Sequence, residues 1–399
     1  MKYAKENLIR YKIIFTLFTV VVYVIGKSLP LYMIDLSAYA QKGIGAEDVL
    51  LQAISGDTYR YSLFALGISP YMISSILTQI ISALQSQETK ARISNRKLNR
   101  RTMGMTLLFA GMMAVVQVQE LHFRVTGPML LAAQFVAGVE MIAGAMLIIW
   151  LASRNKKYGI GGQSALILVN ILDSFYSNVK GHTISELAVP LLLTFMAVAV
   201  MAILENTEKR IPVQRISVHN IYADKNYLAI KMNPIGVMPA MFSMAVFMLM
   251  QLLVNMAGWV CGNHPMYLWW KENMVLTKPM GILVYIVGLY ILSVGFSRVF
   301  LNPKETMEQF LKSGDSIQNV HAGKDTKRYL ARIITGLAFF SATMMAVCLA
   351  LPLVLQLTGD VTGALSALPS SAMMLTGVAC NMCREFVAIR NLEAYKPFI

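Results

Sequence analysis

Charge is scarce in this chain. Lys, Arg, Asp and Glu make up 14% of its 399 residues, where an ordinary soluble domain carries about a quarter. That excludes a soluble globular protein of this length. Cysteine is scarce too. Cys261 and Cys348 stand alone, and Cys380 and Cys383 form a C-x-x-C inside an apolar stretch. A redox C-x-x-C sits at the start of a helix in a soluble domain, and no second pair completes a zinc site, so these thiols read as packing residues. The five histidines, at 122, 182, 219, 264 and 321, are scattered over loops. No H-E-x-x-H, G-x-S-x-G or Walker sequence occurs. No two carboxylates share a helical face within an apolar run. The chain reads as a non-enzyme that calls for no metal or cofactor.

Apolar sequence is what abounds. Hydrophobic residues make up 56% of the chain, and the mean hydropathy is +0.56. Apolar runs of about 20 residues recur throughout, each long enough to cross about 30 Å of hydrocarbon. A transmembrane β-barrel would show alternating segments of about ten residues instead. The expected fold is an all-α polytopic membrane protein of ten transmembrane helices, at about 13–29, 61–84, 103–119, 128–151, 163–178, 186–205, 237–258, 279–301, 330–357 and 367–390. The charged start followed by Ile13–Ile25 looks like a signal peptide. Lys27, Leu29 and Pro30 follow in place of a small-residue cleavage site, so an uncleaved first span is expected.

The net charge of +14 is unevenly spread. With ten spans, loops on one side carry 27 of the 35 Lys and Arg residues, and those on the other carry seven. The positive-inside rule then places both termini in the cytoplasm. The basic loop 85–102 is explained by topology alone or by contact with anionic lipid or a partner. Loops 206–236 and 302–329 are long for a compact bundle. They carry Lys209, Arg210, Arg215, Lys304, His321, Lys324, Lys327 and Arg328. Short β-like runs between Val218 and Ile230 suggest a hairpin. Two basic loops on one face suit the docking of a soluble protein.

Tyr61–Ile81 is the most informative stretch. Gly67 and Pro70 interrupt it, and Ser69, Ser74, Ser75, Thr78 and Gln79 run through apolar neighbours. Its counterpart in the second half is the seventh span, approached through Asn233-Pro-Ile-Gly-Val-Met-Pro239. Interrupted helices at matching places in two halves point to an inverted repeat with the working site between them. The halves are expected at 1–180 and 181–399. Residues 46–58 are half apolar and too short to cross, so they lie at the interface or fold back into the bundle. Glu140 and Asp173 fall within spans, where a carboxylate is costly and either functional or locally bonded. Gln79, Gln251 and Asn255 are polar among apolar residues; they serve helix–helix hydrogen bonding or a gate. A channel for polypeptide, a secondary transporter and a membrane transferase all remain open at this level. Large loops favour the channel.

Five stretches carry a resemblance to a family: FALGISPYMISSILTQI (64–80), GIGGQSALILVNIL (159–172), KRIPVQ (209–214), NPIGVMPAMFS (233–243) and NPKETMEQFLKSG (302–314), with AGKDTKRYLARIIT (322–335) after them. In this order the chain resembles the SecY/Sec61-alpha protein-translocation channels along almost its whole length. The resemblance implies two five-helix halves around an hourglass pore. Its apolar ring falls on Ile68, Met72, Leu168, Met241 and Met374. Its plug falls on about 46–58, including Leu50, Leu51, Ala53, Ile54, Ser55 and Gly56. Its lateral gate lies between spans two and three and spans seven and eight, with Gln79, Gln251 and Asn255 as gate residues. The basic loops become the docking site of a SecA-type motor ATPase. Small SecE/SecG-like subunits or accessory Sec proteins, preproteins with signal sequences and membrane lipids are the other implied partners, with no direct nucleic-acid contact.

The chain also departs from the family pattern. Val320-His-Ala-Gly323 stands where I-R-P-G is usual, Gly159-Ile-Gly-Gly-Gln163 where G-I-G-N-G is usual, and Asn381 where an aspartate is usual. Three of the five ring positions are Met. These changes make it most similar to the accessory SecY paralogues of Gram-positive bacteria, whose system exports serine-rich glycosylated adhesins. The alternatives are a housekeeping SecY and, outside the family, a small-solute transporter.

Overall fold

The computed structural model describes residues 8–35, 61–85, 94–125, 127–179, 184–215, 226–261, 264–276, 278–358 and 363–394. Ten helices fall where the hydropathy places spans. They are α1 (Leu8–Ser28), α2 (Ser69–Leu84), α3 (Asn95–Glu120), α4 (Pro128–Tyr158), α5 (Gln163–Val179), α6 (Ile184–Asn206), α7 (Met238–Cys261), α9 (Pro279–Phe300), α11 (Lys324–Thr358) and α13 (Leu368–Ala394). Three shorter helices join them: α8 (Pro265–Asn273), α10 (Pro303–Ser313) and α12 (Gly363–Ser366). Eight of the ten are long and apolar enough to cross a membrane. The other two, α2 and α5, have 16 and 17 residues, about 24–26 Å at 1.5 Å per residue.

Both short helices begin after an irregular lead-in. Residues 61–68 form turns, so the expected span at 61–84 is helical only from Ser69. Pro70 sits in the first turn of α2, where its missing N–H costs nothing. The lead-in is stitched to the chain leaving α1: Leu31 N–H donates to Tyr61 O at 2.8 Å, and Leu63 N–H to Leu29 O at 2.9 Å. The second half repeats the device. Gly67 and Gly236 have φ of 53° and 74°, a left-handed conformation that costs other residues about 1–2 kcal/mol. Each is followed three residues later by a proline, Pro70 and Pro239.

The helices show an inverted surface pattern. Apolar side chains such as Ile14, Leu17, Phe18, Leu131, Phe135, Leu192 and Phe195 are exposed along them. Water would not tolerate such a stripe, but lipid does. Helices α1–α5 and α6–α13 meet along two seams: α2 and α3 against α7, and α5 against α13. One large apolar core runs between them, from Tyr23 and Ile148 through Leu166 and Met244 to Met373 and Val378.

The two long loops form one unit. Strands β1 (Glu208–Arg215), β2 (Tyr227–Lys231) and β3 (Asp315–Ile317) make an antiparallel sheet in the order β2-β1-β3. Strand β2 lies at the end of the run expected to form a hairpin and pairs with the basic stretch as β1; residues 216–225 lie outside the described residues. A third strand comes from the other loop, pairing Val213 with Ile317. Ile211, Ile230 and Ile317 pack on Leu330, Ile334 and Leu337 of α11, which gives the sheet its own small core.

Candidate functional site

The five expected ring residues come from four helices and the lead-in to α2. Ile68 closes the lead-in to α2 and Met72 lies one turn further; Met241 lies in the first turn of α7, Leu168 in α5 and Met374 in α13. Ile68, Met72, Met241 and Met374 are buried members of the main core, and Leu168 packs against it half-buried. Helices α2 and α7, which follow the glycine–proline lead-ins, pack against each other. All five side chains are apolar, and three are unbranched Met, which adapts to irregular shapes more readily than branched residues do. The expected plug residues, Leu50, Leu51, Ala53, Ile54, Ser55 and Gly56, lie outside the described residues.

The polar thread of α2 resolves mostly into bonds with its own helix. Ser74 donates to Pro70 O at 2.7 Å, Thr78 to Ser74 O at 2.7 Å and Ser75 to Met72 O at 2.9 Å. Such bonds satisfy a buried hydroxyl without a partner helix. Two links cross to α3: Thr102 Oγ1 donates to Thr78 Oγ1 at 3.3 Å, and Thr78 Oγ1 donates to Met105 Sδ at 3.8 Å. Ser69 and Gln79 are different: among the described residues the buried Ser69 Oγ and Gln79 Oε1 have no hydrogen-bond partner. On α7, Gln251 Nε2 donates to Met274 O at 3.4 Å, a bond within the second half. Asn255, one turn on, is half-buried. Where α3 meets α7, Gly104, Leu108 and Gly111 of α3 and Met256 of α7 line an apolar groove of about 490 Å³.

The membrane-embedded acids have structural partners. Glu140 Oε2 accepts from Tyr32 N–H at 3.0 Å, fixing the chain that leaves α1. Asp173 pairs with Lys27 at 2.6 Å, and one helical turn away Tyr23 Oη donates to Asn170 Oδ1 at 2.8 Å. Together they bind α1 to α5. A third acid was not foreseen as an intramembrane charge. Glu205, at the end of α6, is 2% exposed. Arg384 NH1 of α13 donates to its carboxylate at 2.8 Å and NH2 donates to its main-chain carbonyl. Asn233 Nδ2 adds a contact at 3.3 Å. A Cβ on Gly236 would come within 3.0 Å of Glu205 Oε1. The lead-in of α7 is thereby pinned to α6 and α13. Sequence position hid the pair, because Glu205 and Arg384 both fall at span ends and read as loop charges.

The expected docking residues occupy the sheet and its surroundings. Lys209, Arg210, Lys304, His321, Lys324, Lys327 and Arg328 are exposed, and Arg215 ends β1. Arg210 stacks on the Tyr227 ring, its guanidinium carbon 4.7 Å from the centroid. Thr326 Oγ1 donates to His321 O at 2.8 Å, which fixes the loop tip ahead of α11. These exposed basic residues lie on β1, on α10 and around the start of α11.

Comparison with known proteins adds independent findings. The SecY family model matches residues 62–383. The accessory Sec system protein translocase subunit SecY2 of Streptococcus sanguinis is 26% identical, with all of both chains covered. That of Leuconostoc gelidum is 26% identical over 98% of this chain and 96% of its own, and that of Streptococcus pneumoniae is 28% identical over 97% of each. Among solved structures, a protein-conducting channel superimposes with a TM-score of 0.69 at 17% identity, covering 98% of this chain and 95% of the other. Canine Sec61 from a ribosome–channel complex gives 0.62 at 16% identity, with the same coverage.

Proposed function

The chain belongs to the SecY family, and we propose that, as the channel subunit of a translocon, it serves a dedicated accessory export route for preproteins. What supports the channel reading is that Ile68, Met72, Met241 and Met374 are buried in, and Leu168 packs against, one apolar core shared by the two helix groups. In this reading the five side chains seal the waist, and residues 46–58 plug it. A signal sequence enters as a helix between α2/α3 and α7/α9, driven by burial of its apolar surface, while the hydrophilic chain threads the pore. The halves are 1–180 and 181–399, and both termini face the cytoplasm of a cytoplasmic-membrane protein. Engagement of Glu140 and Asp173 by Tyr32 and Lys27 argues against a solute transporter, which needs charges free to bind an ion.

The accessory assignment is supported by the SecY2 names of the relatives and by His321 in place of the usual arginine. Its partners are a SecA-type motor on the β1–β3 face, small SecE/SecG-like or accessory membrane subunits, and substrates of the serine-rich glycosylated class. The test is purification of the protein from its native membrane with crosslinkers at Lys209 and His321. Capture of a SecA-type ATPase distinct from the housekeeping motor is expected. Capture of the housekeeping motor alone would refute the accessory route, and capture of no ATPase during active export would refute the docking face.

A further inference from the structure

The end of α7 away from the sheet carries a feature that the channel reading does not use. There α8, Pro265-Met-Tyr-Leu-Trp-Trp-Lys-Glu-Asn273, folds back beside α7, and none of its nine residues is buried. Met266 is 67% exposed and Trp269 52% exposed, and the two indoles meet edge to face with centroids 6.2 Å apart. A nine-residue helix is marginal in water on its own; α8 packs on α7 and α9, and its remaining exposed apolar side chains call for an apolar surrounding. Its composition, with Tyr267, Trp269 and Trp270 beside Lys271 and Glu272, is that of a helix lying in a membrane interface.

Beneath α8 lies a groove of about 510 Å³, lined by Met250, Leu253, Val254 and Ala257 of α7 and by Tyr267 and Trp270 of α8. That volume is in the range of about 300–1,000 Å³ typical of ligand sites. It is a built feature. Tyr267 lies so close to α7 that a Cβ on Gly258 would come within 2.2 Å of its hydroxyl oxygen, so glycine is what lets α8 approach and roof the groove. The groove opens onto Leu253, 56% exposed, and so is continuous with the apolar surface that faces lipid. His264 stands at its mouth. The walls ask for an apolar chain, and the mouth, at the level of the aromatic and charged residues of α8, suits a polar headgroup.

We propose that this groove holds one acyl chain of a membrane phospholipid, with α8 lying in the headgroup layer above it. The site makes a lipid part of the wall of α7. The inference needs only that the protein spans a membrane, and its readout is not transport, so it stands or falls separately from the channel reading.

Trp150→Phe, Trp259→Phe and Trp269→Phe leave Trp270, one of four tryptophans, as the only indole, and it lines the groove. The full chain is reconstituted in vesicles whose phospholipid is brominated along the acyl chain, and its fluorescence is compared with that in unbrominated vesicles and with aqueous acrylamide. Brominated lipid is expected to quench Trp270 more strongly than acrylamide does. Filling the groove with Ala257→Phe, or with Val254→Phe if the first variant loses the parent's unfolding temperature, is expected to cut lipid quenching by about half, because lipid then reaches only the outer face of α8. Dominant quenching by acrylamide would place α8 in water and overturn the proposal. Weak quenching by both agents would mean that protein covers the groove, and would overturn it as well. Lipid quenching unchanged by groove filling would mean bulk lipid around α8 and no site.

Discussion

Single side chains set the sharpest expectations. Met374 is fully buried in the main core. Met374→Asn puts an amide there without a partner, at a cost of about 1–3 kcal/mol, and wets the apolar contact. We expect a measurable ion leak across reconstituted membranes and export of substrates with weakened signal sequences. An unchanged leak with unchanged signal stringency would remove Met374 from the seal. The buried ion pairs should rank by their solvent access. Breaking a buried pair by removing one partner costs about 3–5 kcal/mol. Glu205 has a side chain 1% exposed, whereas Asp173 opposite Lys27 is 42% exposed. Glu205→Gln is therefore expected to lower the unfolding temperature in detergent clearly more than Asp173→Asn. The reverse order would contradict the role of Glu205 as the anchor of the α7 lead-in. Asn381 fits this setting: its Oδ1 accepts from Arg384 NH1 at 3.4 Å, and an aspartate there would add a second carboxylate to a pair already neutral.

Elements were legible where a hydropathy run is long and unbroken, as in α4, α6 and α11. They were less legible where backbone geometry competes with hydropathy. Tyr61–Ile68 is apolar enough for a membrane helix, but Gly67 takes a left-handed φ and main-chain bonds to Leu29 and Leu31 hold the segment in turns. The matching Gly-x-x-Pro spacing at Gly67 and Gly236 was visible as interruption; its meaning as a helix start was not. Gly236→Ala is expected to harm assembly, because it loses the left-handed allowance, about 1–2 kcal/mol, and brings a Cβ to 3.0 Å from Glu205 Oε1. Protease resistance of the purified variant reads the effect, and resistance equal to the parent's would count against it. The sheet was half legible, because β3 pairs with β1 across about 100 residues and a strand of three residues, Asp315–Ile317, carries little pattern of its own. Its basic face should bind an acidic protein surface electrostatically. Lys327→Glu with Arg328→Glu is expected to weaken motor binding at least about tenfold at low salt and less at high salt. Binding that ignores both charge and salt would move the docking site elsewhere.

At the scale of the whole molecule, the class and the membrane habit followed from composition, since scarce charge and recurring apolar runs leave few other folds. The site followed only in part. Composition cannot say which apolar residues of a membrane protein face one another, because lipid and core demand the same side chains. The ring positions came from motif resemblance, and the buried Glu205–Arg384 pair from neither. What unites the account is a path for polypeptide through the middle of the bundle, past Met72 and Met374. A photocrosslinking amino acid at each of these positions, with a preprotein arrested in transit by a folded C-terminal domain, tests that path directly. The predicted result is a covalent adduct with the arrested preprotein that requires the motor and ATP. Adducts formed only with lipid or neighbouring helices during active export would contradict it.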